Sequence, residues 1–311
     1  MDYILFLIAM LLSSIFHFGI QKVFIFYKKF DDFNHRSSHK TLATRTGGVG
    51  IFLTLLFVSS YYYLQGIDLF DYSLFIPLGI MFIVGVYDDF YNADFKLKFL
   101  LQIIVAKILI DNGYVISNYY GLFGLYEIPW ILAQLTSIFV FLVLVNAINF
   151  IDGIDGLAIS EVIKTILVFE FFSSEFTPLA TMSLILISSL LPLYYFNFKK
   201  NRKVFLGDGG SLLLGTVAAI YAFYVLGSDY EFKSGFTLNK TLFTISILLY
   251  PLVDLLRVFI IRIKDKKSPF QPDQNHIHHY LNKRVGSVFS LFIITSFYAI
   301  IFFIMISLIT I

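Results

Sequence analysis

An all-α, polytopic integral membrane protein is what this 311-residue chain predicts, on three observations. Hydrophobic residues make up 58% of it and charged residues 14%, with a mean hydropathy of +0.80, far outside the range of soluble domains. About ten apolar runs follow one another, each bounded by polar residues. The loops between them divide sharply by charge: seventeen Lys and Arg residues fall in alternate loops and only Lys233 and Lys240 in the others. By the positive-inside rule the cationic loops face the cytoplasm and both termini face away from it. The protein therefore belongs in the cell (inner) membrane, and residues 1–311 read as a single multi-pass domain. A net charge of +2 gives no sign of a nucleic-acid partner, and the absence of cysteine excludes disulfides, thiolate zinc sites and a cysteine nucleophile.

The first run, Tyr3 to Tyr27, is long enough to span a bilayer and lacks a small-residue cleavage site, so it reads as a retained helix. The others lie at about Val49–Leu64, Leu74–Tyr87, Leu97–Ile110, Ile128–Val145, Leu157–Phe172, Leu179–Phe196, Ser211–Leu226, Leu242–Ile261 and Val288–Ile311. The third and fourth can extend into their polar flanks. No internal repeat is evident, which weakens a transporter reading.

Polar clusters collect in the loops assigned to the cytoplasm. Ser37-Ser38-His39-Lys40-Thr41 and Arg45-Thr46-Gly47-Gly48 put donors ahead of the second helix, a candidate phosphate site. Asp88-Asp89 closes the third run, with Lys96 and Lys98 following. Adjacent carboxylates repel, so the pair suits a base, a nucleophile or a metal ligand. Asn146, Asn149, Asp152 and Asp155 recur every three residues after the fifth run; if the helix continues through them, their oxygens share one face, as a hard cation requires. Gly153 and Gly156 let a ligand or backbone come close. In Phe205-Leu206-Gly207-Asp208-Gly209-Gly210-Ser211, amides at the start of the eighth helix can face an anion while Asp208 holds a cation. The last cytoplasmic loop carries His276, His278 and His279, half of the six histidines. Zinc binding is conceivable there, but donation to phosphate and sugar oxygens explains them at least as well. Within the membrane, Glu161 with Lys164 and Asp254 with Arg257 stand at pairing distance on a helix.

Taken together, Ser-Ser-His-Lys…Arg-x-Gly-Gly, Asp88-Asp89 with Lys98, Asn-x-x-Asn-x-x-Asp-Gly-x-Asp-Gly, Phe-Leu-Gly-Asp-x-Gly-Ser and Ser-Pro-Phe-x-x-Asp-x-x-His-Ile-His-His resemble the polyprenyl-phosphate N-acetylhexosamine-1-phosphate transferases over about Ser37 to Leu281. Leu42-Ala43 departs from the family's usual proline. The resemblance implies transfer of a sugar 1-phosphate from a UDP-sugar to polyprenyl phosphate, with release of UMP. It implies Mg2+, or Mn2+ in its place, on Asp208 and Asn149. Asp88, Asp89 and Lys98 would be catalytic, and Asn146, Asp152, Asp155, Phe205, His276, His278, His279, Arg45 and His39 would contact substrate. The partners implied are the UDP-sugar, the polyprenyl phosphate acceptor and membrane lipid, and a homodimer stays open. The His-Ile-His-His form resembles the branch using simple donors, UDP-N-acetylglucosamine above all, with N-acetylfucosamine or N-acetylquinovosamine as alternatives. A polyprenyl-phosphate transporter should place its polar groups near mid-membrane, and a prenyltransferase should show two Asp-x-x-x-Asp clusters; the chain shows neither clearly.

Overall fold

The computed structural model describes residues 2–30, 43–227, 229–269 and 275–309. Among the described residues there are twelve α-helices and two three-residue strands, so the all-α expectation holds. The helices are α1 (Asp2–Phe26), α2 (Gly47–Leu64), α3 (Phe75–Tyr91), α4 (Phe95–Asp111), α5 (Trp130–Ile151), α6 (Leu157–Phe172), α7 (Ala180–Asn197), α8 (Gly207–Leu226), α9 (Lys240–Ile247), α10 (Leu249–Lys264), α11 (Ile277–Val285) and α12 (Ser287–Ile309).

The expected count of ten crossings is not confirmed by helix length and composition. Seven helices among the described residues are long and apolar enough to cross a membrane, or eight if the bent pair α9–α10 is one span. The two shortfalls are α4 and α6, which coincide with expected runs but are only 17 and 16 residues long. The ninth run is not one straight helix: its halves are bent by 72°. Pro251 is the cause, because it lacks an N–H and its ring would meet the carbonyl of Ile247, the last residue of α9.

The chain divides into two compact units, Met1–Asp94 with Pro178–Leu213, and Phe95–Thr177 with Leu214–Ile311. In the first, α1 packs on α2 and α7. Ser13, His17 and Gln21 form a buried polar stripe along α1, spaced four residues apart. Ser13 donates to the Ser189 carbonyl at 2.8 Å, and the Gln21 amide donates to the Arg202 carbonyl at 2.6 Å. These bonds fix α1 against α7 and against strand β2 (Lys203–Phe205), which pairs in parallel with β1 (Ala43–Arg45) and sets Arg45 opposite Phe205. In the second unit, α5 packs against α4, α6 and α10, and α11 against α12. Gly215 of α8 lies so close to α5 that a Cβ would stand 2.8 Å from the Val145 Cα.

Candidate active site

In the first unit, α3 continues past its apolar run to Tyr91, so Asp88 and Asp89 lie in its last turn. A carboxylate at a helix C-terminus is disfavoured by the helix dipole and needs compensation from elsewhere. For Asp89 that compensation is the start of α8. Its two carboxylate oxygens accept the backbone N–H groups of Asp208 and Gly209, each at 3.1 Å, and Arg45 Nη1 lies 3.5 Å away. The anion that the α8 amides face is therefore the Asp89 carboxylate. Asp88 turns the other way, accepting the Ala93 N–H at 2.8 Å across a turn closed by Asn92 in the left-handed region.

Close backbone packing explains most of the glycines here. A Cβ on Gly85 would lie 2.2 Å from the Asp208 carbonyl oxygen, and one on Gly48 would lie 2.2 Å from the Gly210 nitrogen. This unit thus brings Asp88, Asp89, Asp208, Arg45 and Phe205 into one neighbourhood. Residues 31–42, with His39 and its donors, lie outside the described residues.

In the second unit, α5 ends at Ile151 and α6 begins at Leu157 behind Gly156, whose φ of 77° is left-handed. The expected continuous helical face is corrected: Asn146 and Asn149 are helical, while Asp152 and Asp155 lie on the intervening turn. Left-handed backbone at Gly156 and the helix-weakening Gly153 account for the break. The Asn146 amide is engaged within the bundle, donating to Gln102 Oε1 at 2.8 Å and to the Leu142 carbonyl at 2.7 Å. Lys98 is half-buried on α4, one helical turn before Gln102.

The histidines sit against that same turn. A Cβ on Gly153 would lie 2.2 Å from His278 Nε2 and 3.0 Å from His279 Cε1, so only glycine leaves room. His278 is fully buried and His276 is 4% exposed. Of the three expected substrate contacts, only His279 is half-exposed. His276 Nδ1 is 2.7 Å from Asp254 Oδ2, and its Nε2 is 3.4 Å from the Arg262 guanidinium. Arginine can only donate, so Nε2 accepts and Nδ1 carries the proton that Asp254 receives. Asp254 also accepts the Ile277 N–H at 2.8 Å, holding the first turn of α11. This corrects the expected Asp254–Arg257 pair: Arg257 instead donates to the Asn275 carbonyl. Glu161 and Lys164 do pair. Burial, and then the neighbouring His279 and His276, hold the His278 imidazole well below the ordinary histidine pKa.

Two donor sets could hold a cation. Asp254, His276 and His278 have ligand atoms within 4.8 Å of one another. That set is rich in nitrogen, buried beside a guanidinium, and already internally bonded, so it does not fit magnesium. Asp208, together with Asp88 and Asp89, offers oxygen donors of the kind a hard cation takes. Arg262 and Gln102 escaped the sequence reading, and Asp254 was paired there with Arg257. The partners of Asp254, Arg262 and Gln102 lie 22, 14 and 44 positions away, beyond any helical spacing.

Comparison with known proteins bears on the same residues. The family model described as glycosyl transferase family 4 matches residues 71–226. The probable undecaprenyl-phosphate N-acetylglucosaminyl 1-phosphate transferase of Bacillus subtilis is 30% identical over 89% of this chain and 76% of its own length. The decaprenyl-phosphate N-acetylglucosaminephosphotransferase of Mycobacterium leprae is 31% identical over 79% and 68%. The undecaprenyl-phosphate alpha-N-acetylglucosaminyl 1-phosphate transferase of Thermotoga maritima is 29% identical over 92% and 85%.

Proposed function

We propose that this chain, which belongs to glycosyl transferase family 4, transfers N-acetylglucosamine 1-phosphate from its UDP-sugar to polyprenyl phosphate, releasing UMP. The observation that carries the reading is the union of Asp89 with the Asp208 and Gly209 amides, across 119 and 120 positions of sequence, in a neighbourhood that also holds Arg45. Carboxylates gathered with a guanidinium suit a diphosphate and its counter-cation. The donor is taken from the names of the relatives, which specify N-acetylglucosamine.

In this reading an oxygen of the lipid phosphate attacks the β-phosphorus of the UDP-sugar. A new P–O bond forms, the bond from β-phosphorus to the bridging oxygen breaks, and UMP leaves with that oxygen. Magnesium, held by Asp208 and Asn149, would supply charge neutralisation on the diphosphate when bound. Lys98 lowers the repulsion between the two phosphates; one lysine–phosphate contact at 4 Å is worth roughly 4 kcal/mol at an effective dielectric of ~20. Asp88 takes any proton remaining on the lipid phosphate, and Asp89 holds the start of α8 and hence Asp208. Asp155 and His279 are the residues this reading assigns to binding the sugar nucleotide.

The test is a radiolabel assay with polyprenyl phosphate and a panel of UDP-sugars. UMP release and labelled lipid only when both substrates are present, with N-acetylglucosamine preferred, is the expected result. Stoichiometric UMP release without lipid, with label kept on the protein, would instead establish a covalent aspartyl route. No labelled lipid from any donor would end the proposal.

A further inference from the structure

We infer that Gln102, through a reciprocal amide pair with Asn146, is a positioning residue that holds Lys98 and Asn149 at one end of the α4–α5 pair. The inference rests on the proposed function, since it takes those two side chains to meet the phosphates and their cation. Gln102 is fully buried, where an unpaired amide would be costly. It has one side-chain partner for both of its polar atoms: Oε1 accepts from Asn146 Nδ2 at 2.8 Å, and Nε2 donates to Asn146 Oδ1 at 3.5 Å. The remaining Asn146 hydrogen goes to its own helix, at the Leu142 carbonyl. A single clasp of this kind, with no charge to screen, specifies one rotation and one register of α4 on α5; slipping either helix by a residue leaves the buried Gln102 amide and the half-buried Asn146 amide unmatched.

The direction of the helices makes the clasp functional. Gln102 meets Asn146, and Ile116, beyond the end of α4, meets Ser137, where the backbone N–H donates to the hydroxyl at 2.9 Å. The two helices therefore run antiparallel. Four residues back along α4 is Lys98, on the same face as Gln102, and three residues on along α5 is Asn149; the two steps climb roughly 6 and roughly 4.5 Å toward the same end. Lys98 has a long, flexible stem, so its ammonium reaches a fixed point only if α4 itself is fixed. Neither Gln102 nor its partner has to touch substrate for this.

The experiment compares Gln102→Leu, which keeps shape but not hydrogen bonding, Gln102→Asn, Asn146→Gln and the swapped pair Gln102→Asn with Asn146→Gln, in the full-length protein in detergent. Expected is a roughly 100-fold fall in kcat for Gln102→Leu, as for an angstrom-scale misplacement, with KM for the UDP-sugar little changed. The swapped pair preserves the summed side-chain length and should recover most of the kcat lost in either single variant. A wild-type kcat in Gln102→Leu, or a swapped pair no better than the poorer single variant, overturns the inference. A double-mutant cycle on Tm is run alongside, so that the clasp is read even where activity is not. If the wild type makes no labelled lipid, the proposed reaction fails, while a Tm coupling near zero between positions 102 and 146 defeats the clasp independently.

Discussion

Asp89 stands at the C-terminus of one helix, where its charge is unwelcome, and at the N-terminus of another, where it is stabilised. Asp89→Asn exchanges one acceptor oxygen for an NH2 group that faces a backbone N–H, at a cost of about 1–3 kcal/mol. Both Tm and transfer activity should fall. Asp88→Asn keeps an oxygen for the Ala93 N–H, so its Tm should fall less, and equal Tm losses would refute the assignment of Asp89 as the holder of α8. His278 supplies a second prediction. Its folded-state pKa lies below the unfolded value of about 6.5, so the unfolded chain binds the proton more readily. The stability this histidine confers is present above about pH 6.5 and lost as pH falls below it. A Tm series from about pH 8 to about pH 5 should decline in the wild type and be flatter in His278→Gln; parallel curves would exclude His278 as the source. Asp89 and His278 were legible as members of motifs, because polar residues stand out against apolar sequence. Their partners were not. Asp254 looked like half of a helical pair with Arg257, since spacing reveals only neighbours on the same helix, whereas its actual partners are the cap and the first residue of α11.

At the scale of the element, the helices were readable because the first nine apolar runs are each followed by a polar residue or glycine, and nine of the ten runs match one helix apiece. The exception was the run broken at Leu248, where Pro251 was visible in the sequence but its hydropathy was that of a continuous span. The β1–β2 pairing was unreadable: three residues carry no periodicity, and their partners are 160 positions distant. The paired glycines were visible, but their part in close backbone packing was not. Gly48 N donates to the Leu206 carbonyl at 2.9 Å, and the backbones of α2 and α8 come together at Gly48 and Gly210. Gly48→Ala would drive a methyl group against backbone that cannot rotate away. The expected cost is about 1–3 kcal/mol, with transfer reduced because the start of α8 carries Asp208. Unchanged Tm and activity in that variant would mean that the helices part without consequence.

For the whole molecule, the open question is which face carries the chemistry, and α4 and α6 decide it. If both cross the membrane, all seventeen loop cations share a side, where nucleotide sugars are made; if they do not, the loops after α3 and before α5 share a side and the charge asymmetry dissolves. At 17 and 16 residues they reach roughly 25 Å, slightly short of a 30 Å hydrocarbon core, a mismatch that local thinning of the bilayer accommodates at modest cost. The charge asymmetry is the stronger argument, because a chance division of seventeen to two would demand that many cations be misplaced together. The protein has no cysteine, so single cysteines report cleanly. Tyr91, Phe123 and Phe176 are 71%, 91% and 88% exposed and bracket the two short helices. In intact cells, an impermeant maleimide should label Phe123→Cys and Phe176→Cys but leave Tyr91→Cys and Lys200→Cys untouched until the membrane is permeabilised. Equal labelling of Tyr91→Cys and Phe123→Cys would show that α4 does not cross, and the expected cytoplasmic side for the loop 88–98 would have to be abandoned.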